Sequence, residues 1–251
     1  MAATLSSGAV RFARFAYPPN ELGYCGPAED GDLMGLAAAD ADAEIRRRAR
    51  QFEGAWHYLE VIAAAVGITD PLDDRVVEAY WIGNDLLDEM DPELLLGELR
   101  DRFRGQSGGT WAGAGSRARA HHSFHVFEVY PWVGLLPGSV VPVPLQVLDQ
   151  CRIRTGEVVG VDGEHAEVRS RPLTWDGHRL ATGSERIERP RWSADGQGLL
   201  TSVAVGDLVA LHWDWVCDTV SEQQRDAIGR READQVTAIN AHVLSATGRT
   251  E

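Results

Sequence analysis

The chain has 251 residues, of which 44% are hydrophobic and 25% charged, and these shares are ordinary for a globular protein with a substantial core. No stretch approaches the roughly 18 apolar residues of a membrane-spanning helix, and the first residues lack the basic start and apolar run of a signal peptide. A formal net charge of −14 is unfavourable for binding the phosphates of nucleic acid. We therefore expect a cytoplasmic protein that binds neither nucleic acid nor a membrane.

The cysteines and the basic residues exclude further classes of protein. Cys25, Cys151 and Cys217 are far apart and odd in number, which is not the pattern of a disulfide-stabilised protein. The ordinary role of each thiol is that of a small buried apolar residue. Arginine is present but lysine is not, so neither a lysine Schiff base nor the lysine of a phosphate-binding P-loop is available.

The first part of the chain is predicted to be mainly α-helical. Residues 1–24 have an irregular pattern, with Tyr17-Pro-Pro-Asn20 as a turn signal. Apolar residues spaced three and four apart predict a long helix over residues 41–66. Asp70-Pro71 and Asp91-Pro92 are typical helix starts and predict two more helices.

Two irregular segments and a fourth helix are predicted to follow. Residues 105–115 are rich in glycine and predict a flexible loop. Residues 117–133 predict a helix that carries a cluster of histidines. The prolines within residues 140–145 favour an extended connector to the second part of the chain, because proline biases its predecessor away from helix.

The histidines of the predicted fourth helix are candidate metal ligands. His121 and His125 are four residues apart and share a helix face, a spacing that can bind one metal ion, while His122 lies between them. Glu128 follows a further turn along, and two histidines with a carboxylate resemble the ligand set of catalytic iron or zinc. The alternative, a polar or partner-facing patch, stays open.

Short β segments with frequent turn signals dominate the rest of the chain. Asp162-Gly163 is a two-residue hairpin signal between two such segments. Ser221 is a typical N-cap for a terminal helix. The predicted fold class is therefore α+β, with a mainly α-helical domain over residues 1–148 and a small β-barrel with a C-terminal helix over residues 149–251.

Two segments of the β part carry a family resemblance. Cys151 is followed by Thr155-Gly156 and a predicted strand, and a later Val205-Gly206-Asp207 turn leads into a strand that ends at His212. Over residues 151–245 this arrangement resembles the HypC/HupF family of NiFe-hydrogenase assembly chaperones. The whole chain also resembles an uncharacterised bacterial family associated with hydrogenase gene clusters.

The resemblance implies an OB-like barrel and a role as an iron-fragment carrier rather than an enzyme. Cys151 would be a thiolate ligand, and His212 a second ligand or orienting group, for an iron with CN and CO ligands. A thiolate and an imidazole suit such an iron, and a carrier need not retain it stably. The implied partners are a HypD-like maturation protein and the precursor of the hydrogenase large subunit.

Four features differ from that family. Cys151 lies inside the chain rather than at a mature N-terminus, Thr155 stands where the family has proline, and residues 171–202 have the character of an insertion. The helical part has no counterpart in the small chaperones, so we expect it to provide partner specificity.

Simpler or different roles for these residues stay open. Arg152 and Arg154 are expected to lower the pKa of the Cys151 thiol, yet Cys151 also fits a small buried residue and His212 a packed barrel histidine. Two rival functions remain for the whole protein: a metalloenzyme that uses the histidine cluster of the helical part, and a non-metal adaptor in hydrogenase assembly.

Overall fold

The computed structural model describes residues 7–27, 33–102, 109–137, 139 and 142–244. Residues 105–108 of the predicted glycine-rich loop and residues 140–141 of the predicted connector lie outside the described part. Over the ranges that are described, no helix is both long enough and apolar enough to cross a membrane.

Helices occupy most of the described chain before residue 151. In chain order they are α1 (Gly8–Glu21), α2 (Leu33–Ala38), α3 (Asp42–Ala49), α4 (Glu53–Ala65), α5 (Asp74–Trp81), α6 (Pro92–Arg102), α7 (His122–Phe124), α8 (Val143–Cys151) and, after the strands, α9 (Glu222–Ala238). Single π-helical stretches follow α7 and α9, over His125–Val129 and Ile239–Leu244.

Strands occupy the region between α8 and α9, so the fold is α+β. They are β1 (Arg154–Asp162), β2 (His165–Ser170), β3 (Leu173–Trp175), β4 (Leu180–Thr182), β5 (Arg186–Glu188), β6 (Ser193–Ala194), β7 (Gln197–Gly198), β8 (Leu208–His212) and β9 (Trp215–Thr219). Among the described residues, five of them pair into one antiparallel sheet in the order β5-β2-β1-β8-β9.

This sheet is open in its strand pairing over the described residues, since its edge strands β5 and β9 do not pair with each other. Arg191 forms single bridges to His165 in β2 and to Trp215 in β9, and so links these two strands at one corner. An antiparallel sheet is thus established, whereas a closed barrel is not.

The irregular structure predicted for residues 1–24 is wrong, because Gly8–Glu21 forms α1 with Pro18 and Pro19 in its last turns. Phe12 and Phe15 are fully buried, and the helix packs against α5 on one side and β9 on the other. This burial stabilises a helix that local propensity does not favour.

The predicted extended connector is also wrong in its later part, because Val143–Cys151 forms α8. Pro144 lies in the first turn of that helix, where the missing N–H of proline does no harm. Cys151 consequently ends a helix instead of opening a strand, and β1 begins only at Arg154.

The largest apolar core is shared between the helical and the β parts. It contains Phe15 and Trp81 from helices together with Ala210, Trp215 and Cys217 from β8 and β9. The division into two domains near residue 148 stays a prediction, and residues from both sides of it contribute to this one buried cluster.

The start of α9 confirms the predicted N-cap. The Ser221 hydroxyl accepts a hydrogen bond from the Gln224 N–H at 3.2 Å, and the Gln224 side chain accepts one from the Ser221 N–H at 2.9 Å. This reciprocal capping box satisfies two of the N–H groups that a helix start leaves unpaired.

Replacing Ser221 with alanine is expected to lower the free energy of unfolding by about 1 kcal/mol, because a helix N–H loses its acceptor. Urea denaturation followed by circular dichroism measures this change. Ser202→Ala, in an exposed loop, is the control and should leave stability unchanged. Equal stability of the Ser221 variant and the wild type would show that the cap is dispensable.

Candidate metal centre

A small apolar cavity of about 110 Å³ lies where the helices meet the end of β8. Its wall includes Cys151, His122 and His212, and on another side Cys25 and His125. Among the described lining residues none is a carboxylate. The cavity therefore combines thiol and imidazole groups with hydrocarbon and aromatic walls.

His122, Cys151 and His212 form one cluster in this wall. Each offers one ligand atom, these atoms all lie within 4.8 Å of one another, and all three residues are buried. The proximity of Cys151 and His212, on which the sequence-based reasoning depended, is therefore present. His122 is a third member that the sequence analysis did not select.

Hydrogen bonds to main-chain carbonyls at the end of α8 hold the three contributing elements together. The Trp213 N–H donates to the Gln150 carbonyl at 2.7 Å, so the end of β8 is tied to the end of α8. The His122 Nε2 donates to the Cys151 carbonyl at 2.8 Å, which ties α7 to the same helix end. His212 and His122 are thus both held beside the end of α8, where Cys151 lies.

His212 has one nitrogen bonded and one free. Its Nδ1 lies 2.7 Å from the Phe15 carbonyl, which can only accept, so Nδ1 carries the proton. Pro19 has no N–H, so the Phe15 carbonyl lacks the usual partner four residues later in α1 and is available to His212. The Nε2 of His212 is buried and has no hydrogen-bond partner among the described residues.

His122 shows the same kind of outer hydrogen bond. Because its Nε2 donates to the Cys151 carbonyl, its Nδ1 must be the unprotonated nitrogen, and it accepts from the Tyr80 hydroxyl at 3.3 Å. Metal-binding histidines characteristically donate their second nitrogen to a carbonyl in this way. A metal at Nδ1 would replace the long hydrogen bond from Tyr80.

Both imidazoles are neutral near pH 7. Burial lowers the pKa of His122 to about 4, with a smaller opposing effect from its hydrogen bond to Cys151. Burial, followed by the nearness of His122, holds the pKa of His212 well below its ordinary value. Neutral imidazole is the form that binds metal ions.

The Cys151 thiol behaves differently from the sequence-based expectation. Burial, and then the nearness of Cys25, raises its pKa above the ordinary range for a thiol. Arg152 forms ion pairs with Asp149 and Glu232, and Arg154 with Glu188 at 2.9 Å. Their charges are directed to these carboxylates, so the predicted lowering of the thiol pKa is wrong.

The second predicted metal set is not brought together. The fourth helix predicted over residues 117–133 is wrong: the chain is extended at His121, and a short helix and a π-helical stretch follow. The fully buried Glu128 accepts hydrogen bonds from Thr110 and Gln235, each at 3.1 Å. In the part of the chain that the structure describes, these residues are in no metal-like cluster.

His125 instead lies in the cavity wall, near Cys25. A Cβ atom placed on Gly54 would lie 3.4 Å from the His125 Nε2 and 3.9 Å from the Cys25 Sγ, so both groups face the same small space. The His125 Nδ1 is 3.2 Å from the Tyr58 hydroxyl. Burial lowers the pKa of His125 to about 3 and raises that of Cys25 to about 11, so both are neutral at pH 7.

The cluster fits a transition-metal ion. Two neutral nitrogens and one sulfur are ligands that iron, zinc and copper accept, whereas magnesium and calcium require oxygen. The unpaired, buried Nε2 of His212 leaves a lone pair that a metal would satisfy. Three protein ligands would leave at least one coordination position of such an ion open to a further ligand.

A model of the family described as "Family of unknown function (DUF6390)" matches residues 4–246. No curated protein and no solved structure matches the chain significantly.

Proposed function

The chain belongs to the DUF6390 family, and we propose that it binds a transition metal through His122, Cys151 and His212 and carries an iron fragment during NiFe-hydrogenase maturation. The observation that supports metal binding is the convergence of one thiol and two neutral imidazoles within 4.8 Å at an apolar cavity. The nature of the fragment, an iron with CN and CO ligands, rests on the resemblance of the Cys151 and His212 segments to HypC/HupF proteins.

The surroundings of the cluster favour a carrier over a hydrolytic metalloenzyme. Hydrolytic metal sites pair the metal with a general base, which is often a carboxylate. No carboxylate is among the described residues that line the cavity. The apolar space beside the cluster suits small uncharged or strongly metal-bound ligands, such as CO and CN, better than water.

The fold of the β part also supports the proposed resemblance to HypC/HupF proteins. The five-stranded antiparallel sheet, linked through Arg191 between β2 and β9 and followed by α9, is compatible with an incompletely closed OB-like barrel. The proposed partners are a HypD-like maturation protein and the large-subunit precursor, in the cytoplasm. The helical part would select among such partners.

Expression with hydrogenase maturation proteins tests this function. We expect purified wild-type protein to contain iron and to show infrared bands of metal-bound CN and CO. His122→Ala should lose both, because a ligand is removed. His121→Asn is the matched control, since it replaces a neighbouring buried histidine outside the cluster but keeps an acceptor for the Ser123 N–H at the start of α7, and it should retain both.

Other outcomes separate the rival functions. Protein that contains iron but shows no CN or CO bands would support the metal site. It would contradict the proposal that the protein carries an iron with CN and CO ligands. Protein without metal under all conditions would favour the adaptor.

A further inference from the structure

A second cleft, of about 410 Å³, lies between α9 and the segment that precedes α7. Its lining includes Arg117, Arg119 and Arg231, and Asp234 is the one carboxylate among its described lining residues. In a chain with a net charge of −14, such a local excess of guanidinium groups indicates a preference for anions.

The arginines are only partly neutralised by neighbouring acids. Arg117 is 3.7 Å from Glu128, and Arg231 is 3.4 Å from the mostly exposed Asp88. Arg119 donates to the carbonyl oxygens of Ser116 and Ala118 rather than to a carboxylate. Guanidinium donors therefore remain for a ligand in the cleft.

His121 adds a buried donor to the same cleft. Its side chain is 2% exposed, and its Nδ1 accepts from the Ser123 N–H at 3.0 Å. Because Nδ1 accepts this hydrogen bond, it is unprotonated, and the ring proton must be on Nε2.

This Nε2–H has no acceptor in hydrogen-bond geometry among the described residues. A buried donor without an acceptor is energetically unfavourable. A Cβ atom placed on Gly83 would lie 3.5 Å from the His121 Nε2 and 3.1 Å from the Arg231 Cγ, so the two side chains are neighbours. The buried Nε of Arg117 is likewise unpaired.

We propose that this cleft binds a small molecule through a phosphate group, with His121, Arg119 and Arg231 as donors. A phosphate offers several acceptor oxygens and negative charge, which unpaired N–H donors and guanidinium groups recognise together. Ser116 and Ser123 line the same space. The described lining of the cleft shares no residue with the metal cluster, although His121 directly precedes the cluster member His122 in the chain.

Calorimetric titration of metal-free protein with inorganic phosphate and with pyrophosphate, at low ionic strength, tests the site. We expect saturable binding with one equivalent. Arg119→Gln and Arg231→Gln should each weaken it about tenfold, since each removes a charged hydrogen bond. His121→Asn retains an acceptor for the Ser123 N–H but removes the Nε2–H, and should also weaken binding.

Arg225→Gln is the matched control, because it removes the same charge from the same helix at a position outside the cleft. It should bind like the wild type. No saturable binding to wild-type protein, or an equal loss in the Arg225 variant, would overturn the proposal. Unchanged binding in both Arg119→Gln and His121→Asn would do so as well.

Discussion

Cys151→Ala will reduce transition-metal affinity by more than about 100-fold, because loss of a ligand exceeds the 10–100-fold effect of losing an outer hydrogen-bond partner. The thiolate is the single anionic ligand in the cluster of described residues, so its removal also takes away the charge that offsets the metal's own. Cobalt(II) titration is a suitable measurement, because sulfur ligation gives it a distinctive absorption band.

Cys217→Ala is the matched control for this prediction. Cys217, like Cys151, is buried, but its Sγ contacts the Trp215 carbonyl and it is not a member of the cluster. The control should retain the wild-type affinity and the sulfur absorption band. Equal losses in the two variants would mean that the effect arises from repacking of the core. Wild-type affinity in Cys151→Ala would show that this thiol is not a metal ligand.

The part of this site that lies within recognisable segments could be predicted from the sequence. Cys151 and His212 were selected because each belongs to a segment with a characteristic turn and strand. Their proximity follows from antiparallel pairing of β1 with β8, which places Arg154 opposite Leu211. The hairpin between β1 and β2, the terminal helix and its Ser221 cap follow equally from local patterns.

His122 could not be selected in the same way, because its role depends on tertiary placement. Its neighbours His121 and His125 have the better helical spacing, but the chain is extended at His121 and becomes helical only after it. The spacing rule therefore compared residues that are not on one helix. The signal that was available was the run of three histidines, without an indication of which one faces Cys151.

The role of Pro19 could not be predicted from the sequence either. As a turn signal it suggested irregular structure, whereas in α1 it leaves the Phe15 carbonyl free to bind His212. The effect of Arg152 and Arg154 on the thiol pKa could not be predicted from the sequence for a related reason. Sequence proximity placed their charges beside Cys151, but Asp149, Glu188 and Glu232 attract them, and only the fold brings Glu188 and Glu232 close.

The raised pKa of the Cys151 thiol leads to a second prediction of large effect. Metal affinity will rise about tenfold per pH unit between about pH 6 and about pH 8. Burial raises the pKa of Cys151, so the free protein holds the thiol proton throughout this range. Binding must release that proton, and release becomes more favourable as the pH rises. His122, with a pKa of about 4, and His212 are already neutral and release none.

Titrations in buffers of different ionisation enthalpy count this proton directly, and the expected number is close to one at each pH. Cys217→Ala should show the same slope, and any residual binding by Cys151→Ala should show none. A thiol whose pKa was lowered by Arg152 and Arg154 would instead be ionised before binding, so the affinity would level off towards about pH 8. Such a plateau would contradict a buried, protonated thiol. It would show instead that Arg152 and Arg154 lower the pKa of Cys151.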